Sequence, residues 1–426
     1  LAPYCIAKPT SSQGVAEIIS EIVSHGSKFA IKSGGHAPAA GFANIDHGIT
    51  IDMTGLLTIS VNEDSSVASV GAGANWLDVY AFLDPLNKTV AGGRNGAVGV
   101  GGLTLGGGIS YFSPQVGFTC DTVVNFEVVM ASGRLINANH TSHPDLFRAL
   151  KGGMNNFGVV TRFDFSTLPI GEILGGGIVN NITDRHAVFK ALANIADAPD
   201  YDIHASIVTS IIFSSSTKAW TISSAPIYTK PDPNPPVYEE LFAVPNISST
   251  MHLTSLHTFA NETATPQINF LFYTSTFGVS ADLFEDIFQV SNASLCNSQI
   301  PGVTWLFAFE PLPTVFVQHG AGHNSLGTSA KDGNSMVLLL TAVWTDPTSS
   351  DSVESKAASV IAGIDEVARK IGLLRRFRYV NYANQNQRVV DSYGVENREF
   401  LQEVASRYDP EGVFQKLVPG GFKLDS

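Results

Sequence analysis

Phe29-Ala30-Ile31-Lys32-Ser33-Gly34-Gly35-His36 is a short strand that runs directly into two glycines and one histidine. Glycines just past a strand let the backbone present its N–H groups to an anion such as a pyrophosphate. The imidazole of His36 then stands beside whatever carries that pyrophosphate. Taken by itself, the stretch favours a plainer reading, a glycine turn followed by a surface histidine. A second tract changes the balance. Residues 92–108 read GGRNGAVGVGGLTLGGG, more than half glycine, between regular elements rather than as a linker. Glycine at that density lets backbone come close to a ligand and aim N–H groups at it.

The elements around these tracts alternate strand and helix. Pro9-Thr10-Ser11 starts a helix and Gly26 stops it, with Val15, Ile18, Ile19, Ile22 and Val23 on one face. Residues 49–53 and 66–70 read as strands, and 75–83 as a helix capped by Asn75. Residues 125–130 and 134–138 form a hairpin turned by Ala131-Ser132-Gly133; a helix over 145–151 and a strand over 159–168 follow. After about residue 172 the texture changes. Ile-, Phe- and Thr-rich strands over 178–182, 205–213, 219–227, 269–276 and 335–344 alternate with polar turns and with helices over 184–196 and 352–372. That is the pattern of an antiparallel sheet with helices on one face. Residues 230–236 are a Pro-rich loop, and the chain closes on a strand over 376–382 and a helix over 396–407.

Bulk properties exclude several classes. A length of 426 residues suggests about two domains. Hydrophobic residues at 44% against 15% charged allow a large core and rule against disorder. A net charge of −13 argues against nucleic acid. The apolar stretch over 336–344 is far short of the about 20 residues a membrane span needs. No Gly-x-Gly-x-x-Gly follows the first strand, and neither a Walker loop nor Gly-x-Ser-x-Gly is present, which excludes the common Rossmann, P-loop and hydrolase signatures. His319 and His323 have metal-ligand spacing for a helix, but HGAGHNSLG reads as a loop, so no metal is expected. The chain opens on Leu1 with no apolar leader after it and is expected to be a processed or trimmed product. Sequons at Asn87, Asn139, Asn181, Asn246, Asn261 and Asn292 lean toward a secreted glycoprotein. Cys5, Cys120 and Cys296 allow at most one internal disulfide; three reduced buried thiols are the alternative.

Four motifs in order carry a family resemblance. They are Ser33-Gly34-Gly35-His36, the tract ending Leu105-Gly106-Gly107-Gly108, Gly117-Phe118-Thr119-Cys120-Asp121-Thr122-Val123, and Lys151-Gly152-Gly153-Met154-Asn155-Asn156-Phe157-Gly158-Val159-Val160-Thr161. Together they resemble the FAD-binding domain of the vanillyl-alcohol oxidase superfamily. The tail, with Tyr379-Val380-Asn381-Tyr382, Tyr393-Gly394 and Tyr408-Asp409-Pro410, resembles the C-terminal berberine-bridge segment. The implied fold is α+β: a PCMH-type FAD-binding domain over 1–172, an antiparallel-sheet substrate domain over 173–374, and a berberine-bridge-like segment over 375–426 that returns to the FAD domain.

The resemblance also implies roles. His36 matches the histidine that bonds covalently to the flavin. Ser33, Gly34 and Gly35 match the pyrophosphate loop; Gly101, Gly102, Gly107 and Gly108 match the second glycine tract; Val160 lies where backbone meets cofactor. Many relatives carry a second link through a cysteine at the position that is Asn95 here, so a single link is expected. Tyr382 matches a tyrosine used as catalytic base; the alternative is a core tyrosine. Tyr379, three residues earlier, falls on the opposite strand face unless the strand bends. Glu310, in Phe307-Ala308-Phe309-Glu310-Pro311, stands where a carboxylate could polarise Tyr382 or act alone, or is a solvated loop acid. Asn381 is expected to touch flavin or substrate, or to be a turn former. Val123 is the candidate small residue that admits oxygen, or a buried strand valine. The expected activity is hydride transfer from an alcohol or amine carbon of a small molecule, a sugar or secondary metabolite, to FAD, with O2 reduced to hydrogen peroxide. A dehydrogenase, a flavin-containing cyclase and a flavin-binding protein without turnover are the rivals.

Overall fold

The computed structural model describes residues 1–262, 269–298 and 300–424. Strands β1 (Cys5–Ala7), β2 (Phe29–Lys32) and β3 (Ile49–Asp52) form a small parallel sheet in the order β1-β3-β2. Helix α1 (Ser12–Ser24) crosses between β1 and β2. Ser11 caps it by accepting the Gly14 N–H at 3.1 Å, and Val15, Ala16, Ile19 and Ile22 form its buried stripe. A second sheet holds β4 (Ile59–Val61), β5 (Val67–Gly71), β6 (Val123–Val129), β7 (Leu135–Asn139) and β8 (Val159–Ser166), antiparallel in the order β4-β5-β8-β6-β7. The β6–β7 hairpin turns at Gly133, whose φ of 74° suits glycine. Between β5 and β6 lie α2 (Trp76–Leu83), capped by Asn75, and α3 (Val100–Leu105). Helix α3 falls inside the glycine tract 92–108, for which the sequence indicated no helix. Helix α4 (Pro144–Leu150) precedes β8.

Apart from a two-stranded pair of Lys88–Thr89 with Leu168–Pro169, the other strands form one nine-stranded antiparallel sheet: β9 (Ile173–Gly175), β10 (Ile178–Asn180), β11 (Ala205–Ser214), β12 (Ala219–Tyr228), β13 (Asn246–Ser249), β14 (His252–Thr254), β15 (Asn269–Gly278), β16 (Thr304–Leu312) and β17 (Ser335–Trp344). The main path runs β13-β10-β12-β11-β16-β17-β15. Strict alternation sorts the last three strands into two faces. Leu271, Tyr273 and Phe277, then Trp305, Phe307 and Phe309, then Leu338, Leu340 and Ala342 are buried in a core shared with α5 (Arg185–Ala196), α6 (Ala281–Leu295) and α7 (Ser350–Lys370). The opposite face carries Phe270, Phe272 and Thr274 on β15, paired with Val343, Thr341 and Leu339 on β17. On β16 the same face carries Leu306, Ala308 and Glu310, paired with Thr341, Leu339 and Val337. That second face is the one that meets the rest of the molecule.

Residues 377–424 bury their apolar side chains in the same core as the two N-terminal sheets. Phe414 meets Phe29 edge-on at 6.2 Å, the Phe29 N–H donates to the Leu417 carbonyl at 2.8 Å, and Asn156 donates to the Phe422 carbonyl at 2.9 Å. Helix α8 (Val395–Tyr408) appears where a helix is expected. The strand expected over 376–382 does not: this stretch is irregular and ends in one 3-10 turn, Val380–Tyr382. Cys5, Cys120 and Cys296 are all free and only Cys120 is buried, so neither the internal disulfide nor the set of three buried thiols is formed. The side chains of Asn139 and Asn292 are engaged, Asn139 by Asn125, Thr141 and Ser142, and Asn292 by Trp220 and Cys296. Asn87, Asn181, Asn246 and Asn261 are exposed, although the Asn261 sequon extends to Thr263, outside the described residues. Among the described residues no helix is long and apolar enough to cross a membrane.

Candidate active site

Two layers of small residues build one wall of the site. Gly34 and Gly99 touch backbone to backbone: a Cβ on Gly34 would fall 2.4 Å from the Gly99 nitrogen, and one on Gly99 2.2 Å from the Gly34 nitrogen. The Ser33 hydroxyl locks this contact by donating to the Ala72 carbonyl at 2.6 Å and accepting the Gly101 N–H at 3.3 Å. Ser33 is therefore occupied within the chain. The N–H groups of Gly34, Gly35 and His36, in contrast, meet no acceptor among the described residues, and all three residues line a cleft of about 480 Å3. Such a volume is in the usual range for small-molecule sites. Across the cleft stands the outer face of the large sheet, with Phe270, Phe272, Leu339, Thr341 and Val343.

At one end of the cleft three polar side chains converge. Glu310 is 3% exposed, not the solvated loop acid that its local sequence allowed. Its Oε1 accepts the Tyr382 hydroxyl at 3.0 Å and its Oε2 accepts Arg94 Nη2 at 2.8 Å. Arg94 Nη2 also donates to the Tyr382 hydroxyl. The backbone that aims Arg94 is itself over-determined. Gly92 and Gly93 lie against the Trp76 indole, where a Cβ would come within 2.3 and 2.5 Å of the ring. Tyr80 donates to the Gly93 carbonyl at 2.7 Å, and Tyr111 donates to the Arg94 carbonyl at 3.4 Å. Burial pushes the Tyr382 phenol well above its ordinary value; Arg94 opposes that rise, and Glu310 and Tyr379 add to it. Burial likewise raises Tyr379. The His36 imidazole is lowered from its ordinary value by burial, and it makes no hydrogen bond among the described residues.

The structure sorts the residues singled out in the sequence. Ser33, Gly34, Gly35, His36, Gly101, Gly102, Val160, Asn381 and Tyr382 line the cleft, and Glu310 stands directly behind Tyr382. Gly107, Gly108 and Val123 do not line it. A Cβ on Gly107 would meet Leu326 and Phe118, and one on Gly108 would meet Leu103 and Thr119, so these glycines serve packing. Val123 is buried on β6 and its carbonyl accepts Lys151 Nζ at 3.1 Å, which makes it a strand valine away from the cleft. The Asn381 amide is spent on the Leu103 carbonyl at 2.9 Å and the Tyr379 hydroxyl at 3.0 Å; it braces α3. Tyr379 and Tyr382 are not on opposite faces. The 3-10 turn brings their rings to 4.7 Å, nearly perpendicular. Arg94, Phe270 and Phe272 were missed. The signal for Arg94 was a lone cation inside a glycine tract.

The cleft fits a dinucleotide in one respect that the chain itself displays: unspent N–H groups on a backbone packed too closely for any side chain. Gly34, Gly35 and His36 would hold its diphosphate side, and Gly101, Gly102 and Val160 would flank it. Fold and cleft are those of an FAD-dependent oxidoreductase. Residues 3–139 match the family model described as FAD binding domain. Among solved structures, 6-hydroxy-D-nicotine oxidase from Arthrobacter nicotinovorans superposes with a TM-score of 0.81 at 19% identity, over 99% of this chain and 91% of that one. Glucooligosaccharide oxidase from Acremonium strictum gives 0.81 at 20% identity, over 99% and 92%. Among curated relatives, the FAD-dependent monooxygenase drtC of Aspergillus calidoustus is 35% identical over 99% of this chain and 82% of its own length. The bifunctional solanapyrone synthase of Alternaria solani is 30% identical over 99% and 82%. The chain belongs to the family of FAD-dependent oxidoreductases that these curated relatives represent, and it shares the fold of berberine bridge enzyme.

Proposed function

We propose that the protein is a secreted oxidase of small molecules: it removes a hydride and a proton from a carbinol or amine carbon and passes the two electrons to O2, giving the oxidised product and hydrogen peroxide. FAD, when bound, supplies the hydride acceptor. The observation that carries the reading is the Tyr382 hydroxyl donating to Glu310 Oε1 at 3.0 Å inside the cleft. A phenol raised by burial holds its proton at neutral pH and cannot act as base unaided. Glu310 supplies the aid: as Tyr382 takes the substrate proton at its oxygen, it hands its own proton to Oε1. Arg94 fixes the other carboxylate oxygen at 2.8 Å and lies against the phenol oxygen, where it favours any negative charge that develops.

His36 is the proposed point of a single covalent link. Burial lowers its pKa, so the ring is neutral near pH 7 and its nitrogen lone pair is available. Asn95, lining the cleft where relatives can carry a cysteine, has no thiol for a second link. Secretion implies glycans, and exposed Asn87, Asn181 and Asn246 suit them better than engaged Asn139 and Asn292.

Purified holoenzyme is assayed for hydrogen peroxide on a panel of alcohols and amines. Peroxide matched one-to-one by oxidised product supports the reading. Bleaching of the flavin by substrate under anaerobic conditions, without peroxide in air, means a dehydrogenase; label from 18O2 in the product means a monooxygenase, as drtC is named. A rearranged product without net oxygen uptake means a synthase, the second reading, favoured by the name of the Alternaria solani relative. A denaturing gel under ultraviolet after acid treatment is expected to show a fluorescent band that His36→Ala loses and Asn95→Ala keeps.

A further inference from the structure

The wall opposite the glycine cradle carries two aromatic rings, Phe270 and Phe272, among the aliphatic Leu339 and Val343 and the hydroxyl of Thr341. The His36 ring lies 6.0 Å from Phe270, Phe270 lies 5.3 Å from Phe272, and Phe272 meets Tyr382 edge-on at 6.1 Å. Phe270 and Phe272 on the sheet thus link His36, the proposed attachment residue on the cradle side, to Tyr382, the proposed base. The spacing has a simple origin. Phe270 and Phe272 are two apart on β15, so both project from one face, and their partners Val343 and Thr341 on β17 fill the same layer. A molecule that enters between this wall and an FAD held on the cradle meets the Phe270 and Phe272 rings on the sheet side.

Polar groups on that side are few. Thr341 offers one hydroxyl, and the Tyr382 hydroxyl stands at the end of the row. The ionic pair of Arg94 and Glu310 is matched within itself at 2.8 Å. A sugar buries many hydroxyls, and each one left without a partner costs affinity. A flat π-system meets what the wall offers, because ring stacks and edge contacts need no hydrogen bonds. One hydroxyl or amine at the leading edge would meet Tyr382.

We infer that the cleft takes a flat, conjugated, sparingly hydroxylated molecule rather than an oligosaccharide, with Phe270 and Phe272 as its specificity-determining residues. This rests on the oxidase reading for the position of the reacting carbon, beside Tyr382, but recognition by the wall is a binding property and is measured apart from turnover.

Calorimetric titration of the holoenzyme with three probes tests it: 2-naphthylmethanol, its saturated counterpart decahydro-2-naphthylmethanol, and cellobiose. 2-Naphthylmethanol is expected to bind about 10-fold more tightly than the saturated alcohol, the size of effect expected for a lost aromatic contact. Cellobiose is expected to give no heat of binding. Phe272→Leu keeps an apolar group of similar bulk and removes the ring; it should weaken the aromatic probe about 10-fold and narrow the gap to the saturated one. Phe270→Leu serves if Phe272→Leu does not fold. Cellobiose binding as tightly as 2-naphthylmethanol, no binding of 2-naphthylmethanol, or unchanged affinity in the folded leucine variants overturns the inference. Tight aromatic binding without peroxide from any substrate would instead sink the oxidase reading and leave this one standing, and peroxide from cellobiose would do the reverse.

Discussion

Arg94, Glu310 and Tyr382 come from positions 216 and 288 residues apart along the chain, and their meeting explains what each can do. None is informative alone. A tyrosine needs a proton acceptor, a buried carboxylate needs donors, and a buried guanidinium needs a counter-charge. Tyr382→Phe removes the proposed proton relay and leaves the ring packed against Phe272 and Tyr379. It is expected to slow anaerobic flavin reduction by about 10²- to 10⁴-fold, the range for a lost acid–base group, and to lower the melting temperature through the about 1–3 kcal/mol cost of an unsatisfied Glu310 Oε1. Stopped-flow reduction beside thermal unfolding checks both halves. Arg94→Met should act differently, because it strands Glu310 in a dry site. About 3–5 kcal/mol of stability is at stake when one partner of a buried pair is removed, and denaturant unfolding reads it. The phenol carries a pH signature too. Its folded value lies above its unfolded value of about 10, so the folded state binds the extra proton. Its contribution is complete below pH 10 and is lost as pH rises further; stability of Tyr382→Phe should therefore fall less steeply than wild type between about pH 10 and 11.5.

Elements whose pattern is local were readable from the chain, and elements whose pattern depends on distant partners were not. Helix α1 announces itself through the Ser11 cap and the stripe of Val15, Ile19 and Ile22, and the β6–β7 hairpin through its Gly133 turn. Strand β16, TWLFAFEPL, went unread because residues 307–310 are buried on both faces, Phe307 and Phe309 in the core with α5 and α6, and Ala308 and Glu310 on the other side. A strand covered on both faces shows no alternation, so the buried place of Glu310 was hidden with it. Residues 376–382 have β-forming side chains but no strand to pair with among the described residues; the Arg378 N–H goes to the Ser392 hydroxyl at 3.1 Å, and the Tyr382 N–H turns back to the Tyr379 carbonyl at 3.0 Å. Glycine tracts were legible as cradles but not residue by residue. Gly34→Ala and Gly99→Ala place a Cβ on backbone and should destabilise the apoprotein by at least the about 1–3 kcal/mol of overpacking, read by denaturant unfolding. Gly102 has nothing within 4 Å of its would-be Cβ and sits in α3. Gly102→Ala should hold or raise apoprotein stability by about 0.5–1 kcal/mol while weakening FAD uptake, a separation that would not occur if Gly102 served packing alone.

At the scale of the molecule, the cleft lies where two cores meet. One core joins the N-terminal sheets to residues 377–424, and the other lies under α5, α6 and α7. The first was legible as a resemblance because its glycine motifs are short and ordered along the chain. The facing of the second onto it was not, since the pairing of His36 with Phe270 joins residues that no local pattern relates. This arrangement has a thermodynamic consequence. Both walls must be folded for the cleft to exist, so FAD binds the native state and stabilises it by RT ln(1 + [FAD]/Kd) as long as it can dissociate. A covalent link through His36 removes that dependence, because the cofactor stays with the unfolded chain and free FAD has no vacant site. Wild-type holoenzyme should therefore melt at one temperature whatever the FAD added. His36→Ala, loaded non-covalently, should rise with FAD and gain about 2.7 kcal/mol at 100 times its Kd. Differential scanning calorimetry across an FAD series decides it: two flat series would mean that His36→Ala takes up no cofactor reversibly, and two parallel rising ones would mean that wild type holds FAD without a bond to His36.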